Sequence, residues 1–464
     1  MGPGERAVKA PNRALAQLID VSGMSGHALA RRVNTLAGQA GITVAYTHTS
    51  VTNWTRRGMI PRSPVPTFVA QALAERLGRP VGLSEIGMPG VEEKAELIGL
   101  DFPRDSHDAV HTATRFWSTV ERRTFFTGAF AVGAYTTPVT RWLAVPADPQ
   151  AEHRGAQHVG RQDLDELWAA ADDARRWDQK YGGGTWKSSS VVACLHQRAV
   201  PLLHGTYTDA VGRQLFAVTA ELARIAGWSA LDMGHHDVAQ RHFIQALRMA
   251  RAGRNMDIGC HVLTTAALQT ILRGYPNEAV DMAQGAYERA RHQAAPRVLA
   301  FAKLIEARAH ARLGDGRAAG AALALSEHLL EQAEAAPADE PAWIGYYTPA
   351  RMAADAVEIH RDLGSPAAAL RWNSRAATMS PSDFTRSVGL RMTVLATTHL
   401  QKGDLDQALE HGQRAISALS RVQSARANDY VSDVVRAMVP WRRDPRVQKL
   451  SRRARAPHPT LSEA

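Results

Sequence analysis

The sequence predicts an all-α protein in which a small helical domain precedes a solenoid of helical hairpins. Its 464 residues are enough for two or three domains with sizeable cores. Apolar residues recur at helical spacing along much of the chain. In addition, a glycine with a fixed sequence context returns at intervals of 40, 40, 50 and 39 residues. These glycines are Gly234, Gly274, Gly314, Gly364 and Gly403.

Each of these glycines is followed five residues later by alanine and, after seven more residues, by alanine or serine. Residues at that spacing lie on one face of a helix, where small side chains let two helices approach closely. Glycine suits the position at which a preceding helix ends. The pattern predicts five hairpins, which is typical of a solenoid. The small residues are Ala239/Ala246, Ala279/Ala286, Ala319/Ser326, Ala369/Ala376 and Ala408/Ala415.

Five helices are predicted at the start of the chain, the last of them a short one at LSEIG. The first follows a capping residue, Asn12, and the second begins after Ser25. The third lies in the segment SVTNWTRRGMIP, where Val51 and Trp54 face inward and Gly58 ends the helix. The fourth covers FVAQALAERL. These helices form a predicted domain at residues 1–87.

Residues 12–87 resemble the lambda-repressor-like, or XRE-type, helix-turn-helix domain. The recognition helix of that family often has an apolar residue, then tryptophan three positions later, then a charged stretch that ends in glycine, with proline shortly after. The matching residues are Val51, Trp54, Arg56, Arg57, Gly58 and Pro61. Roughly ten extra residues, 38–48, separate the second and third helices, where the family has a short turn.

The resemblance implies that the third helix enters the major groove of double-stranded DNA. Its outward residues would then be Ser50, Thr52, Asn53, Arg56 and Arg57. Arginine binds both acceptors of guanine, and asparagine pairs with adenine, so this helix is equipped to read bases. Lys9 and Arg13 are predicted to contact phosphates, which strengthens binding without reading sequence.

The charge distribution agrees with binding to a polyanion. Residues 1–80 hold ten lysines and arginines against three acidic residues, and residues 436–455 hold eight against one, within a net charge of +10. We expect the segment 437–464 to be a disordered basic tail that adds nonspecific DNA affinity. Ordinary surface arginines in an alanine- and arginine-rich sequence are the alternative explanation for both clusters.

Residues 88–160 are predicted to form a linker and an apolar connecting helix. The segment ERRTFFTGAFAVGAY superficially resembles a twin-arginine export signal, but it lies more than 120 residues into the chain and is too short to span a bilayer. With no apolar signal region at residues 1–13 and no run of about 18 apolar residues, we expect a soluble, cytoplasmic protein without membrane association. Cys194 and Cys260 are expected to be reduced thiols.

Residues 161–436 are predicted to be the solenoid, beginning with an atypical cap. The repeats are similar to the tetratricopeptide repeat, which Gly227, Ala239, Phe243 and Ala246 match well. The resemblance implies a concave groove formed by the first helix of each hairpin, suited to an anionic effector. The groove residues are predicted to be Glu221, Arg224, Trp228, His261, Thr264, Arg308, Arg351, Glu358 and Arg361.

The two resemblances together point to the actinobacterial regulators that combine an XRE-type domain with tetratricopeptide-like repeats. They imply a homodimeric transcriptional regulator whose repeats bind a peptide, a small molecule or a protein. An alternative is a repeat scaffold that sequesters another regulator and binds nucleic acid without sequence preference. An enzyme is not expected, since GGGTWKSS lacks the glycine that a phosphate loop needs before its lysine, and no metal-binding or nucleophile motif occurs. No cofactor or metal is predicted.

Overall fold

The computed structural model is predominantly helical in the residues that it describes. These are residues 10–39, 44–61, 65–77, 81–83, 85–88, 98–121, 129–144, 148, 150–184 and 186–455. They contain no β-strand, only two isolated bridges near residue 206. The chain divides into two compact units, Met1–Ile98 and Gly99–Ala464. The all-α fold predicted from the sequence is confirmed.

In its described residues, the N-terminal unit contains four helices around one apolar core. They are α1 (Arg13–Ser22), α2 (Gly26–Gln39), α3 (His48–Arg56) and α4 (Val65–Leu77). Leu15, Leu29, Val33 and Leu73 are completely buried at its centre, which follows from their helical spacing. The packing of α2 against α3 and α4 holds these helices together.

Asn12 fixes the start of α1 and joins it to the end of the unit. Its side-chain oxygen accepts a hydrogen bond from the backbone of Leu15 at 3.0 Å. Its amide nitrogen donates to the carbonyls of Ile86 and Gly87 at 2.9 and 3.0 Å. The predicted capping residue therefore satisfies one orphan N–H of the helix and two distant carbonyls at once.

The described residues of the segment predicted to be a linker and connecting helix include two helices that pack on the repeats. They are α5 (Ser106–Glu121) and α6 (Thr136–Ala144), the latter preceded by a 3₁₀ turn at Val132–Tyr135. Gln245 donates to the carbonyl of Gly99 at 2.8 Å, and Arg248 donates to that of Pro103 at 2.6 Å. Repeat side chains thus satisfy this backbone, and the segment from Gly99 onward belongs to the second unit. Residues 122–128 of the expected apolar helix lie outside the described residues.

An irregular group of helices precedes the repeats, as the sequence predicts for a cap. It comprises α7 (Arg161–Tyr181), α8 (Trp186–Cys194), a π-helical turn (Leu195–Ala199) and α9 (Val200–Leu203). Five hairpins follow: α10 (Asp209–Asp232) with α11 (His236–Ala252), α12 (Met256–Leu272) with α13 (Pro276–Ala290), α14 (Pro296–Leu313) with α15 (Gly316–Ala335), α16 (Pro349–Asp362) with α17 (Pro366–Ala376), and α18 (Thr385–Gln401) with α19 (Leu405–Leu419). Consecutive helices pack side by side as a solenoid.

The five recurring glycines lie at the turns of the five hairpins. Each adopts a positive φ, between 64° and 85°. This left-handed conformation ends the first helix of the hairpin and disfavours any residue with a Cβ atom. The ten small residues that follow them are almost completely buried where the paired helices meet, with at most 1% of their surface exposed. The glycine and alanine pattern is therefore explained by helix termination and close packing.

The segment expected to be a disordered tail is helical as far as residue 455. After α20 (Ala425–Ala437) comes α21 (Pro445–Arg455), which buries Val447 and Leu450. Leu450 packs over Gly412, where a Cβ atom would lie 3.0 Å from it. The prediction of disorder is wrong here because two apolar residues three positions apart give the basic helix a buried face. Residues 456–464 lie outside the described part of the chain.

The last hairpin of the solenoid returns to the cap, so the second unit closes on itself. Helix α7 contacts α18, and α10 contacts α20. Backbone hydrogen bonds reinforce the contact, since Gln423 donates to the carbonyl of Tyr181 and Gly184 donates to that of Gln423, both at 3.1 Å. The concave side, which the sequence predicts to be a groove, consequently contains a partly open cavity beside which the two ends of the solenoid meet.

Candidate functional site

The exposed face of α3 is the first candidate site. Val51 and Trp54 are each 4% exposed and hold the helix against the core. The loop before α3 is fixed by Asn34, whose side chain exchanges two hydrogen bonds of 2.9 Å with the backbone of Tyr46. The Tyr46 ring then meets the edge of Trp54 with the ring centroids 5.1 Å apart. The position of α3 is thus set by core packing and by the half-buried pair of hydrogen bonds between the Asn34 side chain and the Tyr46 backbone.

Three of the residues predicted to contact DNA have side chains without partners among the described residues. Arg56 and Arg57 are exposed and Asn53 is half-buried. None of the three forms a side-chain hydrogen bond or ion pair with any residue that the structure describes. By contrast, the neighbouring Arg32 is bound by both carboxylate oxygens of Glu75, at 2.7 and 2.9 Å.

The two predicted hydroxyl contacts are already used within α3. Ser50 accepts a hydrogen bond from the backbone of Thr47 at 3.2 Å, and Thr52 donates to the carbonyl of His48 at 3.1 Å. Arg13 is exposed at the start of α1, beside the end of α3, because the backbone N–H of Asn12 donates to the carbonyl of Thr55 at 2.8 Å. Lys9 lies outside the described residues.

The partly open cavity of the second unit is the second candidate site, and we call it the central cavity. It is lined by α7, by the first helices of all five hairpins, and by the turn before α16. Its charged lining consists of Arg175, Asp178, Arg224, Arg308, Arg351, Asp355 and Arg386. Its apolar and aromatic lining consists of Ile225, Trp228, Leu268, Phe301, Ile305, Tyr346 and Phe384.

Four of the nine predicted groove residues line the central cavity. They are Arg224, Trp228, Arg308 and Arg351. Glu358 lines a smaller adjoining cavity together with Arg308 and Arg351. Glu221, His261, Thr264 and Arg361 do not line either of the two. The hydroxyl of Thr264 donates to the carbonyl of Cys260 at 2.7 Å, and the next residue, Thr265, lines the cavity instead.

Glu221 lies behind the cavity wall and anchors two of its arginines. It accepts hydrogen bonds from Arg175 at 2.7 Å and from Arg224 at 2.7 and 2.8 Å, and it is fully buried. Burial alone would raise the pKa of Glu221, but the adjacent guanidinium groups outweigh it and lower the pKa to about 2. Glu221 therefore remains ionised and fixes both guanidinium groups in position.

A second group of charges surrounds Arg308. Its guanidinium binds Asp355 and Glu358, each at 2.8 Å. The hydroxyl of Tyr430 donates to Glu358 at 2.7 Å. Although burial opposes ionisation of Glu358, the surrounding arginines hold its pKa at about 2. The charges of Arg308 are consequently matched by two carboxylates and carry little excess.

Arg361 belongs to the edge of this group rather than to the cavity. It binds Asp362 at 2.6 Å, Glu358 at 3.5 Å and the hydroxyl of Thr397 at 3.0 Å. His261 lies behind the turn before α16, where its Nε2 is 3.0 Å from the hydroxyl of Tyr346. Burial, and then the charge of Arg224, lower the pKa of His261 well below its ordinary value. It is therefore neutral at pH 7.

The third group of charges joins the two ends of the solenoid beside the cavity. Arg386 binds Asp178 through two hydrogen bonds and Asp232 through one at 2.9 Å. Arg426 binds the other oxygen of Asp232 at 3.2 Å. The indole N–H of Trp228 donates to Asp178 at 2.9 Å. These contacts join the cap, the first hairpin and the last helices around one buried network.

Several cavity residues were absent from the sequence prediction, and they fall into two kinds. Arg175, Asp178 and Arg386 face the cavity only because the two ends of the solenoid meet, and no local pattern reports that contact. Tyr346 precedes α16 in the one hairpin interval of 50 residues, so the extra length of that interval was the available signal.

The described residues contain no group of three or more histidine, cysteine, aspartate or glutamate side chains that is arranged to hold a metal ion. Both cysteines are free thiols, and burial raises the pKa of Cys260 to about 12. Among the helices in the described ranges, none has the length and apolar character needed to cross a bilayer.

The fold and these two sites define an all-α repeat protein with a separate N-terminal helical unit. Within it, residues 15–89 match the family described as the SP15 N-terminal domain. This similarity covers α1 to α4 and ends close to the predicted boundary at residue 87. A search of curated proteins and a search of solved structures gave no match.

Proposed function

We propose that the protein is a sequence-specific DNA-binding transcriptional regulator. The observation that carries the proposal is the exposed face of α3, where Asn53, Arg56 and Arg57 have no partner among the described residues while Val51 and Trp54 anchor the helix. A rigid helix with unpaired arginine and asparagine side chains is suited to the major groove. The resemblance to XRE-type domains supports the same function.

The proposed roles differ along the surface. Arg56 and Arg57 contact guanine or phosphate, and Asn53 contacts adenine. Arg13, held beside the end of α3, contacts the phosphate backbone of the DNA and contributes affinity without sequence specificity. Ser50 and Thr52 contribute less than the sequence suggests, because their hydroxyl groups already bond within α3.

The repeat unit is proposed to bind an effector and to mediate formation of a homodimer. The effector role is supported by the central cavity, which is rich in arginine and aromatic residues. Two DNA-binding units at a spacing of roughly 34 Å would match a twofold DNA site. A monomer at micromolar concentration, both free and on DNA, in size-exclusion chromatography with light scattering would overturn the dimer.

The test of DNA reading is selection of genomic fragments by the purified full-length protein at about 150 mM salt. The variant Asn53→Ala/Arg56→Ala is compared with Arg443→Ala, which removes the same single positive charge from an exposed position far along the chain. We expect wild type and Arg443→Ala to select a common motif that Asn53→Ala/Arg56→Ala loses. Binding without any preferred sequence, equal in all three proteins, would favour the scaffold alternative.

A further inference from the structure

The central cavity is small and only partly open to solvent, and this limits the size of anything that binds in it. The two ends of the solenoid meet beside it, since helix α7 contacts α18 and the backbone of Gln423 is hydrogen-bonded to Tyr181 and Gly184. The cavity volume is about 70 Å³, room for roughly five water molecules. A small ligand or a single side-chain-sized group therefore fits this space better than a long chain.

Two arginines of the cavity lining each have one guanidinium nitrogen that forms no hydrogen bond within the described residues. Arg224 uses Nε and Nη2 to bind Glu221, and its Nη1 has no partner in the described structure. Arg351 uses Nε for Asp355 and Nη1 for Ser387, and its Nη2 is likewise unpaired among these residues. Both arginines line the central cavity.

Tyr346 lines the same cavity as these two arginines. Its hydroxyl is 3.0 Å from Nε2 of His261, a contact that orients the ring. Burial raises the pKa of Tyr346 to about 12, and the charges of Arg224 and then Arg351 oppose that rise. The cavity lining therefore offers two cationic donors and one hydroxyl to the same ligand.

The other residues that line the cavity determine which kind of ligand suits it. Five arginines and two aspartates line the cavity, and three more carboxylates, Glu221, Glu358 and Asp232, pair with these arginines from behind the wall. The charges therefore nearly balance, and the unused donors of Arg224 and Arg351 suit a ligand with a single anionic acceptor group. Ile225, Leu268, Phe301 and Ile305 contribute an apolar surface to the same space. A ligand that satisfies both parts has one anionic group and an apolar body.

We propose that the central cavity binds a small monocarboxylic acid with an apolar or aromatic body, its carboxylate held by Arg224, Arg351 and the hydroxyl of Tyr346. The carboxylate accepts hydrogen bonds from Nη1 of Arg224 and Nη2 of Arg351 in place of water. The apolar body of the ligand contacts Phe301 and its neighbours. This inference rests on the proposed function only in treating the repeats as the effector-binding part. The binding itself is independent of DNA.

The experiment is isothermal titration calorimetry of the full-length protein without DNA, using octanoate and 3-phenylpropanoate as probes. Octanamide and 3-phenylpropanamide are the neutral controls, and phenyl phosphate is the dianionic one. We expect at least one carboxylate to bind with a Kd below about 1 mM, and its amide to bind at least about tenfold more weakly. Equal affinity for acid and amide, no binding of either acid at about 10 mM, or tighter binding of phenyl phosphate would each overturn the proposal.

Variants assign the binding to this cavity. Arg351→Met and Tyr346→Phe are each expected to weaken carboxylate binding, by about tenfold or more and by about threefold to tenfold respectively. Arg371→Met removes an exposed arginine of the same hairpin and is expected to leave binding unchanged. Tyr346→Phe retains the ring and serves if Arg351→Met does not fold. Unchanged binding in Tyr346→Phe would place the acid elsewhere, even if DNA selection succeeds.

Discussion

Arg386, at the start of the fifth hairpin, binds both carboxylate oxygens of Asp178 in the cap, at 3.1 and 2.7 Å, across 208 residues of sequence. Both side chains are at least 90% buried. The pair closes the solenoid and brings Trp228 against the same carboxylate. The cavity is therefore a product of tertiary closure as much as of the repeats.

Removing Arg386 should open this closure. Arg386→Met leaves Asp178 without its guanidinium partner and Asp232 with only Arg426, and an unpaired buried charge costs about 3 to 5 kcal/mol. We expect urea unfolding to show a loss of about that size. Arg436→Met, which breaks an exposed ion pair with Asp433, is the control and should change stability by less than about 1 kcal/mol. Similar losses in both variants would contradict a structural role for the buried network.

Two glycine-to-alanine substitutions, one at a hairpin turn and one inside a helix, should change the stability in opposite directions. Gly274 has a φ of 85°, and a Cβ atom added there would have no other atom within 4 Å, so Gly274→Ala adds only backbone strain, about 1 kcal/mol. Gly320 lies inside α15 with equally open space, so Gly320→Ala should stabilise by about 0.5 to 1 kcal/mol. Both changes are measured by urea unfolding at neutral pH. Equal effects of the two alanines would show that the conformation of Gly274 is not a determinant of the turn.

His242 gives the second unit a defined pH dependence. Burial lowers its pKa from 6.5 to about 3, so its contribution to stability is complete above pH 6.5 and is lost as the pH falls, because the unfolded state binds the proton first. At about pH 5.5 the loss from this residue is about 1.4 kcal/mol. His242→Met should therefore reduce the difference in unfolding free energy between about pH 7.5 and 5.5 by that amount. The exposed His328→Met should leave the difference as it is in the wild type, and an unchanged difference in His242→Met would refute the assignment.

Local features of this fold could be predicted from the sequence, whereas the central cavity could not. Gly234 and its four equivalents mark turns because a left-handed conformation is a property of single residues, and Ala239 and its equivalents mark helix contacts because packing within a hairpin is local. The contact of Asp178 with Arg386 depends on the accumulated curvature of five hairpins. The helix at Pro445–Arg455 could not be predicted from composition, because the segment is mostly basic and only Val447 and Leu450 give it an apolar face.

The candidate sites divide in the same way. Val51 and Trp54 could be assigned to the core from spacing, which left Asn53 and Arg56 as outward residues. For the cavity, Arg224, Arg308 and Arg351 line it because of their positions on first helices, which the spacing of the repeats indicates. Glu221 and His261 lie on such helices too, but they point behind the wall, since a spacing pattern gives the approximate face of a helix and not the partner of each side chain.

The most direct test of the central claim compares Arg56→Ala with Arg13→Ala. For each variant, the affinities for the selected duplex and for an unrelated duplex are measured at about 100 and 200 mM salt. If α3 reads bases, Arg56→Ala lowers the ratio of the two affinities by about tenfold or more, whereas Arg13→Ala weakens both duplexes equally and preserves the ratio. An unchanged ratio in Arg56→Ala would contradict base reading by α3.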